Sequence, residues 1–253
     1  MKIVDGIYRN TIELNSHDVD AFNAVHPAFY FRVMQEAAGM HAYLKQVSIP
    51  QLQLEGKTWV VTRTKMTITH YLSWPNSLEV TTWPQTPWKF YYPRVCRAES
   101  TTGELLFESM SHWVVMDVAK MRPIRDAVIN SSFEAVENAL FRDPDLGNRS
   151  DFDATAASPL FTYTPKINYS DVDLNQHVNN VVYLQWMLAS LPFAFRDEWL
   201  IASIDISYRA QAFRDDNIVV MTGGRAPTLY HKIETKEGKI VATATTSWRP
   251  RTQ

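Results

Sequence analysis

The sequence predicts an α+β fold in which one helix-and-sheet unit occurs twice along the chain. Three observations predict it: a short segment that repeats near residues 18 and 171, a helical apolar pattern after each copy, and strand-like runs after each helix. The chain has 253 residues, 45% hydrophobic and 21% charged, which is typical of a folded globular protein. This length permits one large domain or two small ones, and the repeat favours two.

Composition argues against several classes of protein. The net charge of −2 and the pI near 6.4 argue against a general nucleic-acid binder, which needs a basic domain. No stretch approaches the roughly 20 apolar residues of a membrane helix. The first ten residues, "MKIVDGIYRN", resemble neither a secretory signal nor a transit peptide, so we expect a cytoplasmic location. The single cysteine, Cys96, cannot form an intrachain disulfide and leaves no cysteine-based metal site.

The repeated segment aligns without a gap. "DVDAFNAVHPAFYF" at 18–31 pairs with "DVDLNQHVNNVVYL" at 171–184. Five positions are identical, namely Asp18 with Asp171, Val19 with Val172, Asp20 with Asp173, Val25 with Val178, and Tyr30 with Tyr183. A short alignment becomes informative when the elements around it correspond as well.

Corresponding elements follow each copy. The first helix pattern uses Tyr30, Val33, Met34, Ala37, Ala38, His41 and Leu44, and the second uses Tyr183, Trp186, Met187, Ser190 and Leu191. Runs rich in β-branched and aromatic residues come next: "TWVVTRTKMTI", "SLEVTTW" and "ELLFESMSHWVVMD" in the first half, and "IASIDISYRA", "NIVVMTG" and "KIVATATTSWRP" in the second. The last run of each half has a tryptophan near its end, which suggests that these two strands correspond.

A polar segment separates the two halves. "DPDLGNRSDFDATAAS" at 143–158 contains Pro and Gly and has no apolar period, so it is predicted to be a linker. Residues 1–142 would then form the N-terminal unit, a structural copy, and residues 159–253 the C-terminal unit with the polar loop. Ser131 and Glu134 have capping-box spacing and predict a helix that starts just before the linker. A helix wrapped by a curved antiparallel sheet is the hotdog architecture, here two hotdog units in tandem.

The second copy also carries the resemblance to a known family. "DVDLNQHVNN" followed by "YLQWML" resembles the signature loop and central helix of acyl-ACP thioesterases, double-hotdog enzymes that release fatty acids. "MQEAAGMHA", "GKTWVVTRTKMTI" and "SHWVVMDVAKMRPI" resemble that family's N-terminal hotdog, so the resemblance covers nearly the whole chain. It implies thioester hydrolysis in fatty acid biosynthesis without metal or organic cofactor. The implied partner is an acyl carrier protein with its phosphopantetheine-linked acyl chain, and a homodimer is possible.

Thioester hydrolysis needs a positioned water and a donor for the oxyanion. Asp173, Asn175 and His177 alternate along the loop, so an extended backbone would project them to one side. Asn179 and Asn180 suit a helix cap, and the amides at that helix start could hold the thioester oxygen. The resemblance implies that the aspartate, asparagine and histidine are catalytic. We assign charge balance and orientation to the first, water or carbonyl binding to the second, and base or polariser to the third.

The alternative is that these residues only satisfy a polar loop and a helix cap. The first copy argues against it, because Phe22 and Ala24 stand where the second copy has Asn175 and His177. Folding therefore does not require those polar groups, and we expect one active site per chain, in the second copy.

One position departs from the family pattern. A glutamate, often followed by cysteine, comes after the corresponding strand in the family, whereas "ISYRAQAF" has Gln211 and Ala212 there. No nucleophilic cysteine is available at that position, and Cys96 is interpreted as a core residue. We therefore expect direct attack by water, with Gln211 as a fourth site residue that holds the water because an amide can both donate and accept.

Three functions remain open: an acyl-ACP thioesterase, a hotdog acyl-CoA thioesterase, and a non-catalytic acyl-carrier binding protein. The departure at Gln211 supports the third. Basic surface from Lys120, Arg122 and Arg125 would favour the acyl carrier protein over coenzyme A. The aromatic stretch at 74–94 could line an acyl pocket, although it is more typical of sheet-to-helix packing. The other histidines are interpreted as structural or solvent-exposed: His17, His26, His41, His70, His112 and His231.

Overall fold

The computed structural model describes residues 1–133, 135–136 and 159–251, with only the backbone at 159 and 160. The predicted linker at 143–158 lies outside the described residues. Two compact units are present. The first contains Met1–Thr62 and the described residues from Met66 to 136. The second contains Arg63–Lys65 and the described residues from 159 onward.

The first unit is an antiparallel sheet with one long helix. Its strands are β1 (Lys2–Val4), β2 (Ile7–Glu13), β3 (Lys57–Ile68), β4 (Ser77–Pro84), β5 (Tyr91–Ser100), β6 (Leu105–Asp117) and β7 (Arg122–Ile124). Its helices are α1 (Pro27–Leu44), α2 (Ile49–Gln53) and α3 (Ala127–Ser132). The strand order is β1-β2-β4-β5-β6-β3, with β7 paired to β6. Neighbouring strands from β1 through β6 in this order run antiparallel, and short connections join β1 to β2, β4 to β5 and β5 to β6.

Helix α1 is the core element of the first unit. It begins at Pro27, whose fixed φ and missing N–H suit the first helical position. The helix packs against β2, β4 and β5, and Tyr30 on its buried face has no solvent exposure. The Tyr30 hydroxyl donates to the His70 carbonyl at 3.0 Å and accepts from the Leu72 N–H at 3.1 Å. These bonds fix the segment after β3 to the helix.

The second unit repeats this arrangement. Its strands are β8 (Pro159–Tyr163), β9 (Trp199–Tyr208), β10 (Ile218–Arg225), β11 (Thr228–Thr235) and β12 (Ile240–Pro250), and its helices are α4 (Asn180–Ala189) and α5 (Phe193–Glu198). The antiparallel order is β9-β12-β11-β10-β8. Helix α4 packs against β10 and β11. The Tyr183 hydroxyl accepts from the Ala212 N–H at 3.1 Å, as the Tyr30 hydroxyl accepts from Leu72.

Most predicted elements are confirmed, and one helix start is wrong. The two apolar helix patterns correspond to α1 and α4, and the six strand-like runs correspond to β3, β4, β6, β9, β10 and β12. Ser131 does not start a helix: it lies in the last turn of α3, where its hydroxyl donates to the Val128 carbonyl. Asp126 caps that helix by accepting from the N–H groups of Val128 and Ile129, because a carboxylate at this position satisfies free helical donors. Glu134 lies outside the described residues.

The aromatic stretch at 74–94 is divided between core and surface. Trp83 is buried with Val95 and Met110, while Trp74 and Trp88 are exposed. In the described part of the chain, no helix is long and apolar enough to cross a bilayer.

Candidate functional site

The predicted site loop is a closed turn, which corrects the expectation of an extended backbone. The Asp173 N–H donates to the His177 carbonyl at 2.9 Å, and the Gln176 N–H donates to the Asp173 carbonyl at 2.9 Å. Gln176 has φ 62°, the left-handed conformation that lets the chain reverse within so few residues. The turn brings Asp173, Asn175 and His177 together through its curvature and not through strand alternation.

A second set of hydrogen bonds holds this turn against the rest of the unit. Val172 and Val178 form an isolated antiparallel bridge on either side of it. The Val178 N–H donates to the Ala212 carbonyl at 2.9 Å, and the Asn179 N–H donates to the Asp171 carbonyl at 2.8 Å. Because Ala212 is also bound to the Tyr183 hydroxyl, the turn, the segment at 211–213 and helix α4 form one hydrogen-bonded frame.

The first unit contains the same frame. The Asp20 N–H donates to the Ala24 carbonyl at 2.8 Å, the Asn23 N–H donates to the Asp20 carbonyl at 3.0 Å, and Asn23 has φ 58°. The Val25 N–H donates to the Leu72 carbonyl at 2.9 Å, as Val178 donates to Ala212. The residues of the two turns therefore correspond one to one. This pairing places Phe22 opposite Asn175 and Ala24 opposite His177.

Asp173 has a structural role in addition to its predicted chemical one. Its Oδ1 accepts from the Asn175 N–H at 2.8 Å, and Asp20 Oδ1 accepts from the Phe22 N–H at 2.9 Å in the first unit. The carboxylate thus closes the turn in both copies, including the copy without the polar set. Burial raises the pKa of Asp173, while the Asn175 N–H and the nearby His177 oppose that rise.

The side chains of Asn175 and His177 have no polar counterpart in the first turn, where Phe22 and Ala24 stand. Both side chains are half-buried, and the His177 ring meets the Phe213 ring edge-on at a centroid distance of 4.9 Å. Burial lowers the pKa of His177, the charge of Asp173 raises it, and the charge of Lys239 lowers it further. The imidazole is therefore mostly neutral near pH 7, the form that can accept a proton.

The segment at 211–213 lies beside the turn, so it brings Gln211 into the same neighbourhood. Gln211 is half-buried, and its backbone carbonyl accepts from Lys239 Nζ at 3.1 Å. Ala212 is fully buried and has no nucleophilic atom. The Lys239 ammonium also lies 5.7 Å from the centroid of the Phe213 ring, which itself contacts His177.

Lys239 and Phe213 were not among the sequence-predicted site residues. A signal for Lys239 exists, because the matching last strands align it with Glu104. The structure supports this alignment: Ser100 N–H donates to the Glu104 carbonyl at 2.8 Å, and Thr235 N–H donates to the Lys239 carbonyl at 2.9 Å. The charge at this hairpin is therefore reversed between the two copies.

Helix α4 begins directly after the turn. Asn179 is the N-cap, as predicted, and its side chain accepts from the Val181 N–H at 2.9 Å; Asn180 is the first helical residue. The first turn of a helix has free N–H groups and a partial positive charge. These groups follow His177 by three residues in the sequence, so they are candidates to bind a negatively charged oxygen at the turn.

Two other residues considered in the sequence, His231 and Cys96, lie in the core of their units. His231 is fully buried and bridges the hydroxyls of Thr222 and Thr246, both at 2.8 Å. Cys96 is 1% exposed, and burial raises the pKa of its thiol. No group of three or more His, Cys, Asp or Glu side chains in the described part of the chain could hold a metal ion.

Models of one protein family match both halves of the chain. The acyl-ACP thioesterase N-terminal domain matches residues 5–130, and the acyl-ACP thioesterase C-terminal domain matches residues 156–250. The polar turn and Gln211 fall within the second match.

Curated relatives and solved structures are consistent with these matches. The chain is 26% identical over 98% of its length to a palmitoyl-acyl carrier protein thioesterase of Cuphea hookeriana, and 27% identical over 99% to one of Arabidopsis thaliana, both named chloroplastic. It spans 64% and 66% of those relatives, which is less than two thirds of their length.

Two solved structures share its fold, which is of the hotdog type with a large antiparallel sheet. The 12:0-ACP thioesterase from Umbellularia californica has a TM-score of 0.88 at 24% identity, covering 99% of this chain and 100% of that one. An acyl-ACP thioesterase from Bacteroides thetaiotaomicron has a TM-score of 0.84 at 17% identity, covering 97% and 98%.

Proposed function

The chain belongs to the acyl-ACP thioesterase family, and we propose that it hydrolyses the thioester of acyl-ACP to release a free fatty acid. One observation carries the proposal from family to site. Two turns with the same hydrogen-bonded frame differ in that Asn175 and His177 of the second replace Phe22 and Ala24 of the first. Since the frame forms without polar side chains at these positions, chemistry explains the polar pair better than folding does.

In the proposed mechanism a water molecule attacks the thioester carbonyl carbon directly. The neutral imidazole of His177 accepts a proton from the water as the new C–O bond forms. Asn175 and Gln211 hold the water or the carbonyl through their amides, and the first N–H groups of α4 stabilise the oxyanion. The tetrahedral intermediate then expels the carrier thiolate, which takes the proton back from the imidazolium. Because position 212 is alanine and not cysteine, the proposed mechanism uses water as the nucleophile and has no acyl-enzyme.

We further propose that the two units are tandem hotdogs, residues 1–142 and 159–253, joined by a linker at 143–158. The matching frames, with Tyr30 and Tyr183 in equivalent hydrogen bonds, support a duplicated unit. The first copy is then a structural twin, and each chain has one active site.

The carrier is proposed to be the acyl carrier protein. The three basic residues expected to favour it, Lys120, Arg122 and Arg125, are all exposed. Arg125 Nε donates to the Lys89 carbonyl at 2.8 Å, which adds a fourth exposed cation to this surface. An acyl-CoA thioesterase is the second candidate, since coenzyme A presents the same phosphopantetheine thioester. A homodimer and a cytoplasmic location remain predictions.

The test is a hydrolysis panel of acyl-ACPs and acyl-CoAs of graded chain length. We expect kcat/KM to be higher for acyl-ACP than for the acyl-CoA of the same length. Equal or reversed values would remove the carrier assignment and leave the second candidate. A non-catalytic binder would release no fatty acid from any thioester; if Gln211→Glu then gains hydrolysis, the binder interpretation is correct.

A further inference from the structure

A buried cation lies inside the first unit, away from its surface ion pairs. Arg94 on β5 is 7% exposed, and its Nη1 lies 3.1 Å from His41 Nδ1 and 3.3 Å from Thr82 Oγ1. Its guanidinium also stacks on the Phe133 ring at 5.1 Å. Burial lowers the pKa of Arg94 to about 10, so the side chain is still charged at neutral pH. Among the described residues, no carboxylate forms an ion pair with it.

The neighbouring His41 adds an unused donor. Arginine can only donate, so the bond from Arg94 requires His41 Nδ1 to be the acceptor nitrogen. Burial and the Arg94 charge lower the pKa of His41 to about 3, so the ring is neutral and carries its proton on Nε2. His41 has no solvent exposure, and this Nε2 has no hydrogen-bond partner among the described residues. Two donor groups therefore share one apolar interior.

The second unit shows that the fold does not need this cation. Thr82 pairs with Cys96 across β4 and β5, as Thr222 pairs with His231 across β10 and β11. Arg94 lies two residues before Cys96, and Leu229 lies two residues before His231. Leu229 is therefore the equivalent of Arg94 in the second unit. In the described part of the chain this buried cation has no counter-ion, which is costly, and a leucine would avoid the cost. An anion that enters the interior would explain why the arginine is there.

We propose that Arg94 and His41 form a carboxylate-binding site in the interior of the first unit, which takes the carboxylate of an aliphatic chain. The guanidinium balances the charge of the anion, and the His41 N–H provides a further hydrogen bond. Tyr8 stacks on His41 at 6.0 Å and, with Phe133, supplies an aromatic wall for an apolar chain. The aliphatic nature of the ligand rests on the proposed function, whereas the anion site does not.

Two sources could supply such a carboxylate. One is the free fatty acid that hydrolysis releases, whose own carboxylate would occupy the site. The other is a substrate with a second carboxylate at the far end of its acyl chain. Both would place a carboxylate at Arg94. They differ in whether a chain with a single carboxylate is sufficient for binding.

The experiment measures binding of three probes to the full chain by calorimetry and by thermal shift: dodecanoate, dodecanedioate and methyl dodecanoate. The variants are Arg94→Leu, which introduces the residue of the second unit, and Arg94→Gln, which keeps donors without the charge. Arg97→Leu is the matched control, because Arg97 lies on the same strand but pairs with Glu99 and Glu108 at the partly exposed face. Hydrolysis of dodecanoyl-ACP is followed in parallel.

We expect a carboxylate probe to bind the parent chain and the Arg97→Leu control, with affinity reduced by about tenfold or more in both Arg94 variants. Without ligand, Arg94→Leu should be at least as heat-stable as the parent. Binding by dodecanoate points to the product, and binding by dodecanedioate alone points to a substrate with a distal carboxylate.

Three results would overturn the proposal. The first is that the parent chain binds no carboxylate probe. The second is that an Arg94 variant that folds binds the carboxylate probe as tightly as the parent does. The third is that methyl dodecanoate binds as tightly as dodecanoate. Carboxylate binding without hydrolysis of any thioester would instead refute the proposed function and leave this site standing.

Discussion

Replacing His177 with alanine should separate catalysis from folding. The change gives the second turn the residue of the first, where the Ala24 carbonyl accepts the same backbone bond at 2.8 Å that the His177 carbonyl accepts at 2.9 Å. The fold keeps this backbone bond and loses mainly the contact between the imidazole and Phe213, which is worth about 0.5–1.5 kcal/mol. For a chain of this size, 1 kcal/mol lowers Tm by about 2–4 °C.

The predicted effect on turnover is larger. Loss of the group that accepts the proton from water should lower kcat by about 10² or more. A factor of 100 corresponds to about 2.7 kcal/mol of barrier, well above the stability cost. The assay is thiol release from acyl-ACP at saturating substrate, with thermal unfolding measured on the same preparation. Gln176→Asn is the matched control, because it also introduces the residue of the first turn, Asn23, and should keep full activity.

Asp173→Ala should behave differently from His177→Ala. It removes the acceptor of the Asn175 N–H in addition to a charge, so turnover falls and the unfolding free energy falls by about 1–3 kcal/mol. Asp20→Ala should cost similar stability, because its carboxylate closes the first turn in the same way. Normal turnover in His177→Ala would remove this residue from the mechanism, and unfolding of His177→Ala but not of Asp173→Ala would contradict the assigned structural roles.

Three other predictions concern the surroundings of the turn. Gln211→Ala should lower hydrolysis substantially, because the water loses an amide that holds it. Gln211→Glu should retain or raise hydrolysis and add a titrating group to the pH profile. Parent-like rates for Gln211→Ala would show that this residue has no role in hydrolysis. Lys239→Met should raise the pKa of His177, because it removes a charge that lowers this pKa. The acidic limb of the pH profile of kcat/KM should therefore move to higher pH. Lys239→Arg and Lys236→Met, a control in the same hairpin, should not move it. Cys96→Ser should leave hydrolysis nearly intact and alkylation should not inactivate, because this thiol is buried and protonated; specific loss on alkylation of the folded chain would refute water attack.

The sequence predicted two similar units because the repeat contains residues that make the same bonds in both. Tyr30 and Tyr183 are identical and both hydroxyls bind the backbone beside their turns. The helices followed from apolar periodicity, and α4 begins after Asn179 as its cap chemistry predicts. The start of α3 was missed because Ser131 and Asp126 both offer capping oxygens, and only the structure shows which one meets free N–H groups.

The sequence singled out the residues that we propose for the site, but it did not give the geometry of their turn. Alternation of Asp173, Asn175 and His177 suggested an extended loop, whereas the left-handed Gln176 closes a turn, a conformation that glutamine seldom adopts. Lys239 escaped notice because it reaches the site from a distant hairpin through its bond to the Gln211 carbonyl. Contacts between segments far apart in sequence depend on how the strands pair, which residue patterns alone do not give.

Intact-mass spectrometry of the chain during turnover of acyl-ACP tests whether a water held at the polar turn of the second unit cleaves the thioester. Rapidly quenched samples report both the fatty acid released and the mass of the protein. We expect linear release of fatty acid from the first turnover and a protein mass that does not change. Absence of released fatty acid, or a protein mass increased by one acyl group, would contradict this mechanism.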